Sequence, residues 1–213
     1  MTPQRILIIQ LKRIGDILLT TPALAQLRQI FPKAQIDFLI YKSYADILEG
    51  NPNIDNILIY RPNIPWQLPG LAKKGRYDWV IDFLANGASA WVSFFSRAPV
   101  RIAFKNSYTN LVHNVQIAPS PKPMYSPAHK LCLLSLAVDQ LGVHSWRLDN
   151  HYCKPDIFIN PAKQEFWLEA LEQAGHKKNS RPLVLLSPQS RRVTRRWQLE
   201  GYAKVAQKLG EQG

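Results

Sequence analysis

Short apolar runs alternate with longer stretches of helical spacing along most of the chain. The short runs are rich in β-branched residues, which is typical of strands buried on both faces of a parallel sheet. They predict strands at residues 5–11, 35–41, 56–60, 79–83, 100–104 and 183–186. Strands that alternate with helices at this spacing predict βαβ units with right-handed crossovers. We therefore expect an α/β fold, with a Rossmann-like parallel sheet and flanking helices.

The helical stretches have apolar residues three and four positions apart. They predict helices at residues 14–31, 44–49, 88–96, 127–141, 161–174 and 198–209. Pro22 interrupts the first of these stretches, so we expect a break near Thr20. Trp91, Phe94 and Phe95 recur at helical spacing, and we expect all three to be core residues.

Residues 61–75, 106–127 and 144–160 are predicted connections, and the first two are rich in proline. After them comes a helix, and the buried strand, basic loop and final helix that follow it resemble the opening unit of a second Rossmann-like domain. One such unit cannot cover both faces of its own sheet, so either it packs on the first domain or sequence is missing. We expect a first domain over residues 1–160. A linker helix and the incomplete start of a second domain are expected over residues 161–213.

The composition is that of a globular protein, with 46% hydrophobic and 20% charged residues among 213. It excludes a disordered tail, a collagen-like fibre and a highly charged coiled coil. No apolar run approaches the roughly 20 residues that span a bilayer, and the N-terminus lacks the pattern of a secretory signal. Cys132 and Cys153 make neither a disulfide framework nor a zinc site, so the expected location is the reducing cytoplasm.

The net charge is +12, and most of the excess lies after residue 60. Residues 61–150 carry ten basic and four acidic side chains, and residues 151–213 carry eleven and six. A basic surface of this size favours anionic partners, which include nucleic acid, anionic lipid headgroups and phosphorylated substrates.

The sequence Lys12-Arg13-Ile14-Gly15-Asp16 directly follows the first predicted strand. Ligands of doubly wound folds collect beyond the carboxyl ends of the strands, and Gly15 permits a tight turn there. Asp16 is either an N-cap of the next helix or a general base at this edge of the sheet. Lys12 and Arg13 are either solvated or bind an anion. With one glycine, this segment is not a dinucleotide-binding G-x-G-x-x-G fingerprint.

Two further residues are candidates for the same cleft. Asp82 ends the fourth predicted strand, where it either faces the cleft or only caps the strand end. His129 begins an apolar helix, a position that suits a boundary or a substrate pocket better than a metal ligand. No histidine is paired at the spacing of helical metal ligands, so we expect no metal.

Residues 187–197 place four arginines between the last predicted strand and the last helix. The hydroxyls, backbone N–H groups and guanidinium groups of such a loop can bind phosphates. The alternatives are a solvated basic loop or a nucleic-acid contact, and no known nucleic-acid motif supports the second. We expect Trp197 to be a packing anchor at the start of the helix.

Residues 6–9 followed by residues 14–24 resemble the N-terminal signature of the ADP-heptose:lipopolysaccharide heptosyltransferases, glycosyltransferase family 9. The most specific part of the match is Gly15-Asp16 with Thr-Pro-Ala-Leu at 21–24. Weaker matches bring the resemblance to almost the whole chain, and they lie at residues 31–36, 53–55, 77–82, 100–104 and 187–197.

The resemblance implies the N-terminal half of a GT-B fold, in which two Rossmann-like domains face each other across a cleft. It implies an inverting, metal-independent transfer of heptose from ADP-heptose to the lipopolysaccharide inner core, with no cofactor. Asp16 corresponds to the general base. The expected acceptor-binding residues are Lys12, Arg13, Gly15, Asp82 and His129. The expected donor phosphate-binding residues are Ser190, Arg191 and Arg195. The basic surface would contact the anionic inner face of the cytoplasmic membrane, and no nucleic-acid partner is expected.

Two departures from the family pattern concern the donor site. Gln189 and Arg195 stand where the family usually has Gly and Lys. The family's downstream Asp-Thr-Gly…His nucleotide-binding segment is absent from these residues. If they were the entire protein, we would expect little or no glycosyl transfer. The alternative is then a non-catalytic basic module that binds anionic glycolipid.

Overall fold

Parallel strands build one sheet in the first part of the chain. They are β1 (Arg5–Ile9), β2 (Gln35–Tyr41), β3 (Asn56–Tyr60), β4 (Trp79–Asp82), β5 (Val100–Phe104) and β6 (Val115–Ile117). Their order in the sheet is β3-β2-β1-β4-β5-β6, and every neighbouring pair is parallel. The predicted α/β fold with a parallel sheet is confirmed. This computed structural model describes residues 2–62, 77–107, 109–143, 154–176, 183–190 and 193–211.

The chain divides into two compact units, Met1–Ile159 and Asn160–Gly213. The helices of the first unit are α1 (Ile14–Leu18), α2 (Thr21–Ile30), α3 (Gly87–Phe95) and α4 (Ser126–Gln140), with a 3₁₀ helix at Lys42–Leu48. The second unit contains α5 (Pro161–Gln173), a 3₁₀ turn at Val193–Arg195 and α6 (Leu199–Glu211). The break predicted near Thr20 is confirmed, with Pro22 in the first turn of α2, where its missing N–H is harmless.

Alternate side chains of the central strand enter two separate apolar layers. Ile6 and Ile8 pack in the layer that α2 and α4 cover, whereas Leu7 and Ile9 pack in the layer of α3. All four side chains are at most 1% exposed. Helices on both faces make this a doubly wound sheet, in which continuous apolar runs are required of the central strands.

Most strands lie where the sequence pattern predicts them, but the pattern does not predict β6. β2, β3 and β5 begin and end where the apolar runs predict. β6 lies inside residues 106–127, so the prediction of a connection throughout that stretch is wrong. The strand pairs with β5 over only three residues, a length too short to show a period of two.

Trp91 and Phe94 lie on the outer face of α3, so their predicted place in the core is wrong, whereas Phe95 is half-buried. Trp91 is 58% exposed and Phe94 is 52% exposed. The helix turns its smaller residues to the sheet, which are Ser89, Ala90, Val92 and Ser93. Small side chains allow the helix axis to approach the strands closely, and the large rings are then left outside.

The strand predicted at residues 183–186 does not form, which corrects that prediction. Residues 183–190 have no regular secondary structure, and Leu185 is 90% exposed. A parallel strand needs a hydrogen-bonded neighbour, and the described residues of the second unit contain no other strand to supply one. The flanking helices α5 and α6 form as predicted, to within two residues at their ends.

A buried carboxylate links three parts of the sheet. Asp37 of β2 is 4% exposed and accepts a hydrogen bond of 2.7 Å from the Tyr77 hydroxyl. The side-chain amides of Asn56 in β3 and Gln35 in β2 donate to the same carboxylate at 2.8 and 3.1 Å. Burial, then the hydrogen bond to Asp37 and its charge, raise the pKa of Tyr77 above its ordinary value. The phenol therefore stays a donor at every physiological pH.

We expect Tyr77→Phe to lower the free energy of unfolding by about 1–3 kcal/mol, because a buried carboxylate loses one of its donors. Urea unfolding of both proteins measures the change. Tyr44→Phe is the matched control, since the half-buried Tyr44 hydroxyl makes no hydrogen bond with any described residue. Equal losses in the two variants would contradict a specific role for the Asp37 contact.

Candidate functional site

The carboxyl ends of β1 and β4 lie side by side in the middle of the sheet. From β1 the chain goes on to β2 on one side, and from β4 it goes on to β5 on the other. At such a reversal of strand order, the loops leave a crevice beyond the strand ends, where doubly wound folds bind their ligands. The candidate residues that follow β1 and β4 therefore come to this edge.

The turn after β1 is made at Arg13 and not at Gly15, which corrects that expectation. Arg13 is the N-cap residue of α1 and has a φ of 73°, in the left-handed region that side chains disfavour. Gly15 lies inside α1, and a Cβ placed on it would meet no atom within 4 Å. Packing therefore does not require a glycine at position 15. Lys12 and Arg13 are exposed beside it, as an anion-binding role requires.

Asp16 lies in the first turn of α1 and is half-buried. No side chain caps this helix, so the N-cap alternative for Asp16 is not what the structure shows. Its carboxylate makes no hydrogen bond with any described residue. The group is thus free to accept a proton or a hydrogen bond from a ligand at this edge.

Lys130, which belongs to no motif of the sequence, contacts α1 from the first half of α4. Its side chain is buried, and its ammonium donates to the main-chain oxygen of Asp16 and to Oγ1 of Thr20, the second at 2.5 Å. The Thr20 hydroxyl donates in turn to the same Asp16 oxygen at 2.7 Å. The ammonium also lies 5.7 Å from the ring centroid of Phe83, which follows β4. One cation therefore joins α1, α4 and the end of β4.

Burial lowers the pKa of Lys130 to about 8, although the nearby charge of Asp16 acts in the opposite direction. A lysine at a buried position of an apolar helix was the signal available in the sequence. Lys130 shares its helix face with Leu134 and Ala137, both fully buried.

His129 lies at the same end of α4 and stacks on Phe104 at the end of β5. The ring centroids are 3.9 Å apart, and the planes differ by 11°. Burial, with a smaller effect from the charge of Lys130, lowers the pKa of His129 below its ordinary value. The half-buried imidazole is therefore neutral at pH 7 and can form part of a pocket wall, as the sequence suggests.

Asp82 is completely buried at the end of β4. One carboxylate oxygen accepts from the backbone N–H groups of Leu84 and Ala85 at 3.0 and 2.8 Å, and the other lies 3.2 Å from Nε2 of His113. This geometry favours the strand-end cap that the sequence left open as an alternative. Asp82 supports the loop after β4 and does not present its carboxylate to the crevice.

The basic loop of the second unit lines a cavity of about 640 Å³. Ser190 and Arg196 lie in its wall, and Nε of Arg196 donates to the main-chain oxygen of Ser190 at 2.7 Å. Arg195 lies on the exposed 3₁₀ turn and is absent from this lining, whereas Arg191 lies outside the described residues. Of the arginines that the structure describes, Arg196 is therefore the one that the cavity brings together with Ser190.

Trp197 lies just before α6 and packs on that helix, but its side chain is 54% exposed, so the structure supports the predicted packing anchor only in part. Its ring lies 5.1 Å from that of Tyr202, measured between centroids. A Cβ on Gly201 would meet the indole at 2.5 Å, so the ring occupies the space that this glycine leaves. The indole therefore packs along α6.

No group of three or more His, Cys, Asp or Glu side chains in the described residues is arranged to hold a metal ion. Among the same residues, no helix is long and apolar enough to cross a bilayer. The expectation of a metal-independent reaction stays a prediction.

The family model of glycosyltransferase family 9 (heptosyltransferase) matches residues 71–213, more than half of the chain. The chain belongs to glycosyltransferase family 9. Its match to lipopolysaccharide heptosyltransferase 3 of Escherichia coli K12 is 24% identical over 93% of the chain and 58% of that protein. This family-9 chain thus spans less than two thirds of the curated relative that it matches.

Two solved structures share the fold. A family-9 glycosyl transferase from Veillonella parvula superposes with a TM-score of 0.82 at 24% identity, over 99% of this chain and 60% of the other. The Escherichia coli ADP-heptose lipopolysaccharide heptosyltransferase II superposes with a TM-score of 0.78 at 18% identity, over 98% of this chain and 62% of the other. The resemblance of the sequence to family 9 and the GT-B relationship are confirmed.

Between about pH 8 and 10.5, we expect the free energy of unfolding of the wild type to rise relative to that of Lys130→Met. The expected rise is up to about 3 kcal/mol. In this window the unfolded lysine still binds its proton, whereas the folded one, with its lowered pKa, has released it. Raising the pH therefore relieves the cost of burying the ammonium. Urea unfolding of both proteins at pH 7.5 and at pH 10.5 gives the difference. A difference that does not change with pH would contradict the lowered pKa.

Proposed function

We propose that this chain forms the acceptor side and the beginning of the donor side of an inverting glycosyltransferase. The transferred sugar is heptose, the donor is ADP-heptose and the acceptor is the lipopolysaccharide inner core. Membership of family 9 supports glycosyl transfer. The names of the Escherichia coli relatives, a lipopolysaccharide heptosyltransferase and an ADP-heptose heptosyltransferase, support the sugar and the acceptor. The observation that carries the proposal is the Asp16 carboxylate at the reversal of strand order, where it makes no hydrogen bond with any residue that the structure describes.

The proposed reaction needs one base and one stabilised leaving group. The Asp16 carboxylate takes the proton of an acceptor hydroxyl while that oxygen attacks the anomeric carbon of the donor. The bond from that carbon to the diphosphate breaks on the opposite face, and ADP leaves with the electron pair. Attack and departure on opposite faces invert the anomeric centre, and no metal is required for this route.

Cationic groups supply the remaining needs of the proposed reaction. Charge develops on the diphosphate as it leaves, and the Ser190 loop with Arg196 offers a hydroxyl and a guanidinium for it. Arg195 and Arg191 stay proposed phosphate ligands on the basis of the family pattern. On the acceptor side, the exposed Lys12 and Arg13 flank Asp16 in sequence and suit acidic sugars or phosphates.

Lys130 acts in this proposal as a positioning residue. Its ammonium holds the main chain of Asp16 and the hydroxyl of Thr20, so the first turn of α1 cannot rotate freely. A base must be held within hydrogen-bond reach of the proton that it removes. The buried contact therefore restricts where the carboxylate of Asp16 can point.

The location and partners follow from the same proposal. An enzyme that uses ADP-heptose works in the cytoplasm, and its acceptor is anchored in the cytoplasmic membrane. We therefore propose peripheral contact with the anionic membrane surface. No nucleic-acid partner is proposed.

We expect Asp16→Asn to lower kcat by about 10²–10⁴-fold, because the amide has the same shape but cannot take the proton. The assay is ADP release with a lipopolysaccharide acceptor, in a protein that continues this chain through a complete second domain. Asp46→Asn is the control, since Asp46 is an exposed carboxylate on the 3₁₀ helix at Lys42–Leu48. Near-normal turnover of the Asp16 variant would remove the base assignment. Salt-sensitive glycolipid binding with no ADP release, even in the wild type, would instead favour the non-catalytic module.

We expect Gly15→Ala to raise the free energy of unfolding by about 0.5–1 kcal/mol, because Gly15 lies inside a helix with open space around it. If that space receives the acceptor, the added methyl group overlaps it, and the same change raises the acceptor KM by about tenfold. Thermal unfolding and transfer kinetics are measured on the same samples. Gly87→Ala in α3 is the control, because its Cβ would also meet no atom within 4 Å. A stabilised variant with an unchanged KM would contradict acceptor binding at this position.

A further inference from the structure

The outer face of α3 carries a cluster of aromatic rings. Trp91 stacks on Phe95 with centroids 5.7 Å apart, and Phe94 meets both rings edge-on at 6.1 and 5.5 Å. Trp91 and Phe94 are each more than half exposed. The three rings thus pack against one another, and Trp91 and Phe94 lie outside the core. Grouped apolar exposure of this kind marks an interaction surface more often than scattered exposed residues do.

Basic residues border these rings. Phe94, Phe95, Arg97 and Arg101 line one cavity of about 380 Å³. Arg97 follows the helix and is exposed. Arg101 is tied to the neighbouring loop, since its Nε donates to the main-chain oxygen of Val112 at 2.6 Å. We call the five residues Trp91, Phe94, Phe95, Arg97 and Arg101 the aromatic surface.

The loop beside the aromatic surface adds a further apolar group. Leu111 precedes Val112 in the chain, and its side chain is 100% exposed. Arg101 contacts the main chain of Val112, so the exposed Leu111 belongs to the loop that borders the aromatic surface. The helix and this neighbouring loop therefore both carry exposed apolar side chains.

The stretch of sequence that contains the aromatic surface carries charge of one sign. Residues 83–138 contain no Asp or Glu. The same stretch contains five basic side chains, which are Arg97, Arg101, Lys105, Lys122 and Lys130. An anionic partner therefore meets no acidic side chain from this stretch, and the exposed Arg97 attracts it.

We propose that the aromatic surface docks on a lipid bilayer that contains anionic headgroups. Tryptophan rings settle at the level of the headgroups, and an exposed arginine such as Arg97 pairs with lipid phosphates. A second copy of this chain fits less well, because a two-fold contact places the same arginines opposite each other with no carboxylate between them. This proposal names the face that contacts the membrane in the proposed function, and its biological role rests on that function. Its test needs no heptose transfer, so the two can fail separately.

The test is flotation of the 213-residue chain with vesicles. We expect binding to phosphatidylcholine vesicles with roughly one-third phosphatidylglycerol, weaker binding in high salt, and little binding to phosphatidylcholine alone. The double variant Trp91→Ser, Phe94→Ser is expected to bind about tenfold more weakly. Arg97→Gln, which leaves the rings in place, is expected to bind about fivefold more weakly.

Two matched controls are expected to bind as the wild type does. Leu136→Ser removes an exposed apolar side chain from α4, and Lys33→Gln removes an exposed cation after α2. Circular dichroism checks folding, which the double variant is expected to keep because both side chains are more than half exposed. Failure of the wild type to float, or equal flotation of the wild type and both surface variants, overturns the proposal. A wild-type dimer in sedimentation that the double variant abolishes, without lipid binding, assigns the surface to a second copy instead.

Discussion

The reversal of strand order between β1 and β4 determines where the first unit can meet a ligand. The chain crosses from β1 to β2 by helices on one face, and from β4 to β5 by α3 on the other. Two adjacent strand ends are therefore left with no helix passing over them. The loop that leaves β1, and the helix α1 that follows it, therefore come to this edge of the sheet. The position of Asp16 is thus a consequence of topology, and its chemistry is a consequence of sequence.

Long apolar runs were predicted well because they have few alternative structures. The run 35–41 cannot be exposed without great cost, and it forms β2 with the predicted bounds. The shorter run 183–186 is continuously apolar, yet it forms no strand, since an apolar pattern does not specify a hydrogen-bonding neighbour. β6 shows the opposite case, because pairing with β5 makes a strand of three residues that have no clear pattern. Periodicity predicts which faces are apolar but not which segments pair.

The same limit divides the candidate site. Asp16 and the cations beside it lie in one short segment, and their place after β1 was sufficient to find them. Lys130 is 114 residues from the Asp16 oxygen that it contacts, and only the packing of α4 brings the two together. Asp82 has the expected place in the chain, but the backbone N–H groups that its carboxylate accepts from belong to a turn that the sequence pattern does not specify. Proximity in sequence therefore finds candidates, and three-dimensional packing decides which of them face a ligand.

Helix α3 shows why apolar character alone does not assign a face. Its sheet side is made of small residues such as Ser89 and Ser93, and its outer side carries Trp91 and Phe94. A hydrophobicity scale ranks the second face higher, whereas close packing against strands favours the first. The basic residues also lie in two different environments. Arg97 is exposed at the rim of this face, whereas Lys130 is buried against α1. An exposed cation attracts anions at the cost of little desolvation, whereas a buried one orders the chain and loses part of its basicity. The basic residues of this chain therefore attract anions where they are exposed and order the chain where they are buried.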